Sequence, residues 1–138
     1  MFKVSLQVLV FLSWAVTGHA QSYRKDIGGL CSVLVHKDIT SVYTRDTIKR
    51  FFFTDDDLSN FIVYMDVEMK RAGFTSFVVE GCRIRSVSSS DAHVQAVFDI
   101  TGKGELFFLK KHAMVRTRWT NRDGRWYLEP PSVIPSGD

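Results

Sequence analysis

Residues 54–73 read TDDDLSNFIVYMDVEMKRAG and residues 92–100 read AHVQAVFDI; between the two, the spacing of apolar residues changes from helical to strand-like. That change decides the fold class. In the first segment Leu58, Phe61, Ile62, Met65 and Met69 fall on one face of a helix, Thr54 is placed to cap it, and Asp55, Asp56 and Asp57 put negative charge at the positive end of its dipole. Lys70 and Arg71 complement the other end, and Gly73 can turn left-handed at the stop. The three aspartates lack the alternating Gly-and-spacer pattern of a calcium loop, so helix capping accounts for them. In the second segment Ala92, Val94, Ala96, Phe98 and Ile100 share one face at a period of two.

Upstream, Ile27, Leu30, Cys31 and Leu34 recur at i, i+3, i+4 and i+7 and predict another helix, weakened at its start by Gly28 and Gly29. The stretch from Asp38 to Phe53 mixes strand-favouring Val42-Tyr43-Thr44 with helical spacing at Ile48, Phe51 and Phe52, and reads as a turn followed by a short helix. Downstream of Gly73, Phe74 to Val87 reads as a strand, Ser88-Ser89-Ser90-Asp91 as a turn, and Thr101-Gly102-Lys103-Gly104 as the turn after the second strand. A long strand is predicted over Glu105 to Trp119, with a bulge at Lys110-Lys111 where the apolar parity changes. Asn121-Arg122-Asp123-Gly124 then makes a hairpin, Arg125 to Glu129 return as the last strand, and Pro130-Pro131 end it. Helices followed by a four-stranded antiparallel meander imply an α+β domain.

The 138 residues, with 45% apolar and 24% charged content and eleven Phe, suit one compact domain and exclude collagenous or disordered chains. Residues 1–20 carry Lys3, an apolar run from Val4 to Val16 and the small residues of Gly18-His19-Ala20, the pattern of a cleaved secretory signal; the run is too short for the ~20 residues of a membrane span. The expected organisation is a signal at 1–20, one domain at 21–130 and a flexible tail at 131–138. Export then implies a bacterial periplasm or the extracellular space. Loss of Lys3 leaves 17 Lys+Arg against 15 Asp+Glu, a balance that argues against nucleic acid as a partner. Cys31 and Cys82 form the only possible pair, and in an exported chain they favour a disulfide.

The predicted helix ending near Ala72-Gly73, the long strands and the closing Trp119-Thr120-Asn121-Arg122-Asp123-Gly124-Arg125-Trp126-Tyr127-Leu128 resemble the nuclear-transport-factor-two-like superfamily, the cystatin-like α+β roll. The resemblance implies helices packed on a curved four-stranded antiparallel sheet. It also implies a pocket between helix and sheet, where enzymes of the superfamily place an Asp/His or Tyr/Asp arrangement. No residue here matches such an arrangement by motif.

His36, His93 and His112 lack the spacing of a metal site, and Ser88-Ser89-Ser90 lacks a nucleophile elbow; no catalytic residue, metal or cofactor is expected. His93, Gln95 and Asp99 are expected to point away from the helix, outside any pocket. One surface feature stands out. Arg83 and Arg85 on the first strand, with His112, Arg116 and Arg118 on the third, predict a basic patch on the exposed side of the sheet. The function expected from this is an exported, non-enzymatic accessory or binding domain that docks a protein or another acidic partner, with a homodimer through the sheet face as one form of contact. The alternatives are a small-molecule binder or isomerase/lyase with a pocket between helix and sheet, and a secreted effector or inhibitor-like protein.

Overall fold

The computed structural model describes residues 23–90, 93–106 and 108–129; the signal read at 1–20 and the tail at 131–138 lie outside them. It is an α+β arrangement of three helices followed by a four-stranded antiparallel sheet. Helix α1 covers residues 23–34 and buries Ile27, Leu30, Cys31 and Leu34, the face its spacing predicted. His36 sits just past its end with φ of 67°, a left-handed helix stop, and its backbone N–H donates to the Val79 carbonyl.

Helix α2, Val42–Ile48, starts at Ser41, whose hydroxyl accepts from the Thr44 N–H, and passes into a single 3-10 turn at Lys49–Phe51. Helix α3, Asp55–Arg71, starts at Thr54, whose hydroxyl accepts from the Asp57 N–H at 3.0 Å, with the three aspartates in its first turn. It stops at Gly73, φ 90°, where the Phe74 N–H reaches back to the Met69 carbonyl at 2.9 Å. Its five predicted apolar residues are all buried.

Strands β1 (Gly81–Ser90), β2 (His93–Lys103), β3 (Lys110–Arg122) and β4 (Arg125–Glu129) follow in spatial order β1-β2-β3-β4. The last hairpin closes between Arg122 and Arg125, with Asp123 and Gly124 both at positive φ and the Asn121 side-chain oxygen accepting from the Gly124 N–H. Val94, Ala96, Phe98 and Ile100 of β2, with Ala113, Val115 and Trp119 of β3, join the helical residues in one core. Inside it Trp119 Nε1 donates to the Thr117 hydroxyl at 2.8 Å, and that hydroxyl donates to the Ala96 carbonyl at 2.8 Å. The Tyr64 hydroxyl on α3 accepts from the Arg116 N–H at 3.2 Å, in the part of β3 that β4 does not reach.

Four boundaries differ from the sequence reading. The first strand begins at Gly81, because residues 74–80 are spent elsewhere: Ile39 N–H bonds to the Phe77 carbonyl and Val79 N–H to the Lys37 carbonyl, tying this segment to the α1–α2 connection. Ser88, Ser89 and Ser90 are strand residues paired with Gln95, Val94 and His93, so the serine run is not a turn. Residues 101–103 likewise stay in β2, where Gly102 is required because the Phe74 ring occupies the space its Cβ would take. The parity change near Lys110-Lys111 is a connection and not a bulge: β3 starts at Lys110, and Leu106, Phe108 and Leu109 before it are at least half exposed. The bulge lies in β1 instead, where Arg85 is the extra residue between Ile84 and Ser86.

A disulfide joins Cys31 on α1 to Cys82 on β1, 51 positions apart. By closing a loop of that length it restricts the unfolded chain by about 4 kcal/mol in the chain-entropy account. A Cys31→Ala/Cys82→Ala variant is therefore expected to lose up to about that much stability in urea unfolding, and reductant is expected to shift the parent and not the variant. Gly102→Ala forces the Phe74 ring aside and is expected to cost roughly 1–3 kcal/mol in the same measurement.

Candidate functional site on the open face of the sheet

Register decides which side chains share the face turned away from the core. Arg83 pairs with Asp99 and Asp99 with Met114, so odd-numbered β2 residues and even-numbered β3 residues stand together. Thr101, Asp99, Gln95 and His93 therefore neighbour His112, Arg116 and Arg118, and beyond the bulge Ser86, Ser88 and Ser90 join them from β1. Arg118 lies opposite Glu129 on β4.

On this face three carboxylates are each held between two basic side chains. Asp99 Oδ2 accepts from Arg83 Nη2 at 3.1 Å, while Asp99 Oδ1 lies 2.8 Å from His112 Nδ1. Glu129 stands 3.5 Å from Arg118 and 3.9 Å from His93. Glu80, just before β1, pairs with Lys110 and lies 4.0 Å from Lys103. Asp99 is only 4% exposed although its strand face is the outer one, because the two longer side chains lie over it. The expectation that Asp99 points away from the helices holds, but it is covered and not free.

Burial is the largest influence on Asp99 and pushes its carboxyl up; the hydrogen bonds and charges of His112 and Arg83 together outweigh it and hold the carboxyl below its ordinary value. Glu80 is held low chiefly by its hydrogen bond from Lys110. On α3, burial raises the Tyr64 hydroxyl and outweighs the lowering effect of the hydrogen bond it accepts from the Arg116 N–H.

Of the basic residues read from sequence, Arg83, His112, Arg116 and Arg118 do share one face, and Arg85 stands at the bulge where alternation is interrupted. They are not equivalent. Arg83, His112 and Arg118 are committed to carboxylates, whereas Arg85 and Arg116 make no ion pair among the described residues, and both are exposed. Sequence reasoning missed the carboxylates that share the face. Asp99 and Glu129 carry a strand parity that fits, but only the register places each beside its cations. It also missed a shallow hollow of about 350 Å³ lined by Ser88, Ser90, His93, Gln95 and Arg118, since the serines had been read as a turn.

The arrangement suits recognition of anionic groups by guanidinium forks. Asp99 orients His112 through Nδ1, the geometry of an acid–base pair, but on the outer surface with His112 half exposed. The serine hydroxyls of the hollow make no hydrogen bond to His93 among the described residues, so no nucleophile–base pair is formed there. Nor do the described residues hold a group of three His, Cys, Asp or Glu side chains fit to bind a metal ion. On the core side, Phe61, Met65 and Met69 are buried at 0, 0 and 1% exposure, and the buried polar side chains described there, Thr44 and Thr117, are spent on backbone carbonyls. Among the described residues no helix is long and apolar enough to cross a membrane.

Comparison with protein-family models, with curated proteins and with solved structures finds no match.

Because the folded-state pKa of Asp99 lies below the ordinary value near ~3.9, its stabilising contribution is complete above that pH and is lost as pH falls through the folded value. Asp99→Asn is expected to lower stability at neutral pH by roughly 1–2 kcal/mol, the scale of a hydrogen bond to a charged group with solvated partners. Urea midpoints of the parent and Asp99→Asn are expected to converge as pH is lowered from about 5 to about 2, and a gap that stayed constant would contradict the clamp.

Proposed function

We propose that this chain is an exported accessory domain, without catalytic activity of its own, that docks an acidic protein partner through the open face of its sheet. The observation that carries this reading is the contrast between the clamped cations and those on or beside the same face that pair with no carboxylate among the described residues, with Arg85 and Arg116 at its centre and Arg122 and Arg125 at its end stacked on Phe53 and Tyr127. Clamping holds Arg83, Arg118 and His112 in place at little net charge, so the face is stiff before a partner arrives. Arg85 and Arg116 then supply the uncompensated charge that selects and steers an acidic surface.

Export is supported by the Cys31–Cys82 disulfide, which persists in an oxidising compartment such as a bacterial periplasm or the extracellular space. Membership of the nuclear-transport-factor-two-like superfamily, with its curved cystatin-like roll, is part of the same proposal and rests on the order of elements and the closing aromatic hairpin. A homodimer through this face would bring like charges together, and we rank it below an acidic partner. The enzyme alternative is favoured by one feature, the Asp99–His112 pair, which would serve only under a cover supplied by another molecule.

The test compares immobilised parent protein with Arg85→Glu/Arg116→Glu against an extract of the compartment the protein is exported to. The parent is expected to retain partners that elute with rising salt, and the variant to lose them while its melting temperature stays within a few degrees of the parent's. Identical partners on both proteins would end the reading.

A further inference from the structure

A second place in the molecule gathers charge without using it. At the free edge of β4, a cleft of about 170 Å³ lies between α1, the 3-10 turn and the start of that strand, with Trp126 on its core-facing side and Arg125 reaching it from the open-face side. Three cations line it, Lys25, Arg50 and Arg125, against one carboxylate, Asp26, and none of the four forms an ion pair among the described residues. On the open face, Arg83, Arg118, Lys103 and Lys110 are parked on carboxylates. Here the long side chains are held by aromatic rings instead: the Arg50 guanidinium lies 4.6 Å from the centre of Phe51, and that of Arg125 5.6 Å from the centre of Tyr127. Like charges brought together without counter-charge repel, and a bound anion removes that cost.

The wall of the cleft carries an independent signal. Trp126 belongs to the core-facing side of β4 and is fixed edge-on by Tyr23 at 5.7 Å, yet its indole Nε1–H is buried with no acceptor among the described residues. The contrast with Trp119 is direct, since that indole is satisfied by Thr117. A buried donor without a protein acceptor is uncommon in native proteins, and a ligand oxygen in the cleft would satisfy it. Space is kept open on the helix side by Gly29. A Cβ there would stand 3.4 Å from the Phe51 ring and 3.9 Å from Arg50 Nη2, growing into the cleft.

We propose that this cleft is a binding site for a phosphate group, with Arg50, Arg125 and Lys25 as its cationic partners and Trp126 as a neutral donor at its wall. Three cations against one carboxylate leave a balance of two positive charges, which a phosphate dianion matches and a single carboxylate does not. The cleft, at about 170 Å³, has room for a phosphate group. The donor set holds its ligand by charge-assisted hydrogen bonds, and the open mouth admits either free phosphate or the phosphate end of a monoester. This site includes neither Arg85 nor Arg116, and its success or failure leaves the docking reading untouched.

The two indole N–H groups of the described chain make the test internal. Inorganic phosphate and phenyl phosphate are titrated into the ¹⁵N-labelled protein at constant ionic strength, with chloride as the control anion. The Trp126 indole resonance is expected to move saturably with phosphate while that of Trp119 stays in place. Arg50→Gln and Arg125→Gln are each expected to weaken binding on the order of tenfold, and Gly29→Ala to weaken it with all charges intact. Circular dichroism establishes that each variant is folded. Tighter binding of phenyl phosphate assigns the site to a monoester, and equal binding assigns it to the free ion. Movement of both indoles together, the same response to chloride, or unchanged affinity in both arginine variants overturns the proposal.

Discussion

Burial of one side of β2 is the constraint on which the rest of this structure depends. Val94, Ala96, Phe98 and Ile100 are each at most 2% exposed, and they meet a core built from α1, α3 and β3. A slip of one residue in the pairing would send all four to solvent and bring His93, Gln95 and Asp99 inward. The hydrophobic effect thus sets the register, and the register sets which charges meet outside. The Asp99–His112 and Arg118–Glu129 contacts are consequences of the apolar pattern on the opposite face.

Electrostatics then differentiates groups of one charge type. Cations beside a carboxylate are nearly neutralised locally and act as struts, whereas cations that face solvent or each other retain their field. The open face contains both kinds, and the cleft beside Trp126 contains three cations with one carboxylate among them. Formal charge of +3 spread over the whole chain conceals this distribution. The disulfide from α1 to β1 ties the helical half to the sheet on which these charges stand.

Helix α3 was legible because its signals agree: cap, dipole charges, apolar stripe and stop glycine all fall where a helix of that length requires them. The final hairpin was legible for the same reason, with Asp123-Gly124 able to hold positive φ where the turn demands it. The segment 74–80 was misread because β-favouring residues report an extended backbone and not its neighbour; its hydrogen bonds go to residues 37–39. Ser88-Ser89-Ser90 was misread because polar residues suit both a turn and an exposed edge strand. At Leu106 to Leu109 the apolar residues lie at least half exposed where described, so an argument that assigns apolar residues to a strand face fails there.

What the sequence determined by itself was whatever depends on neighbours along the chain: the helix faces, the caps, the pairing of the only two cysteines, and the set of basic residues alternating on two strands. The tertiary structure decided which carboxylates those bases meet, that Arg85 lies at a bulge, and that Arg50, Lys25 and Arg125 line one cleft with Trp126. The physical reason is that periodicity specifies the direction of a side chain relative to its own element, while the distance between charges on different elements follows only from register and packing.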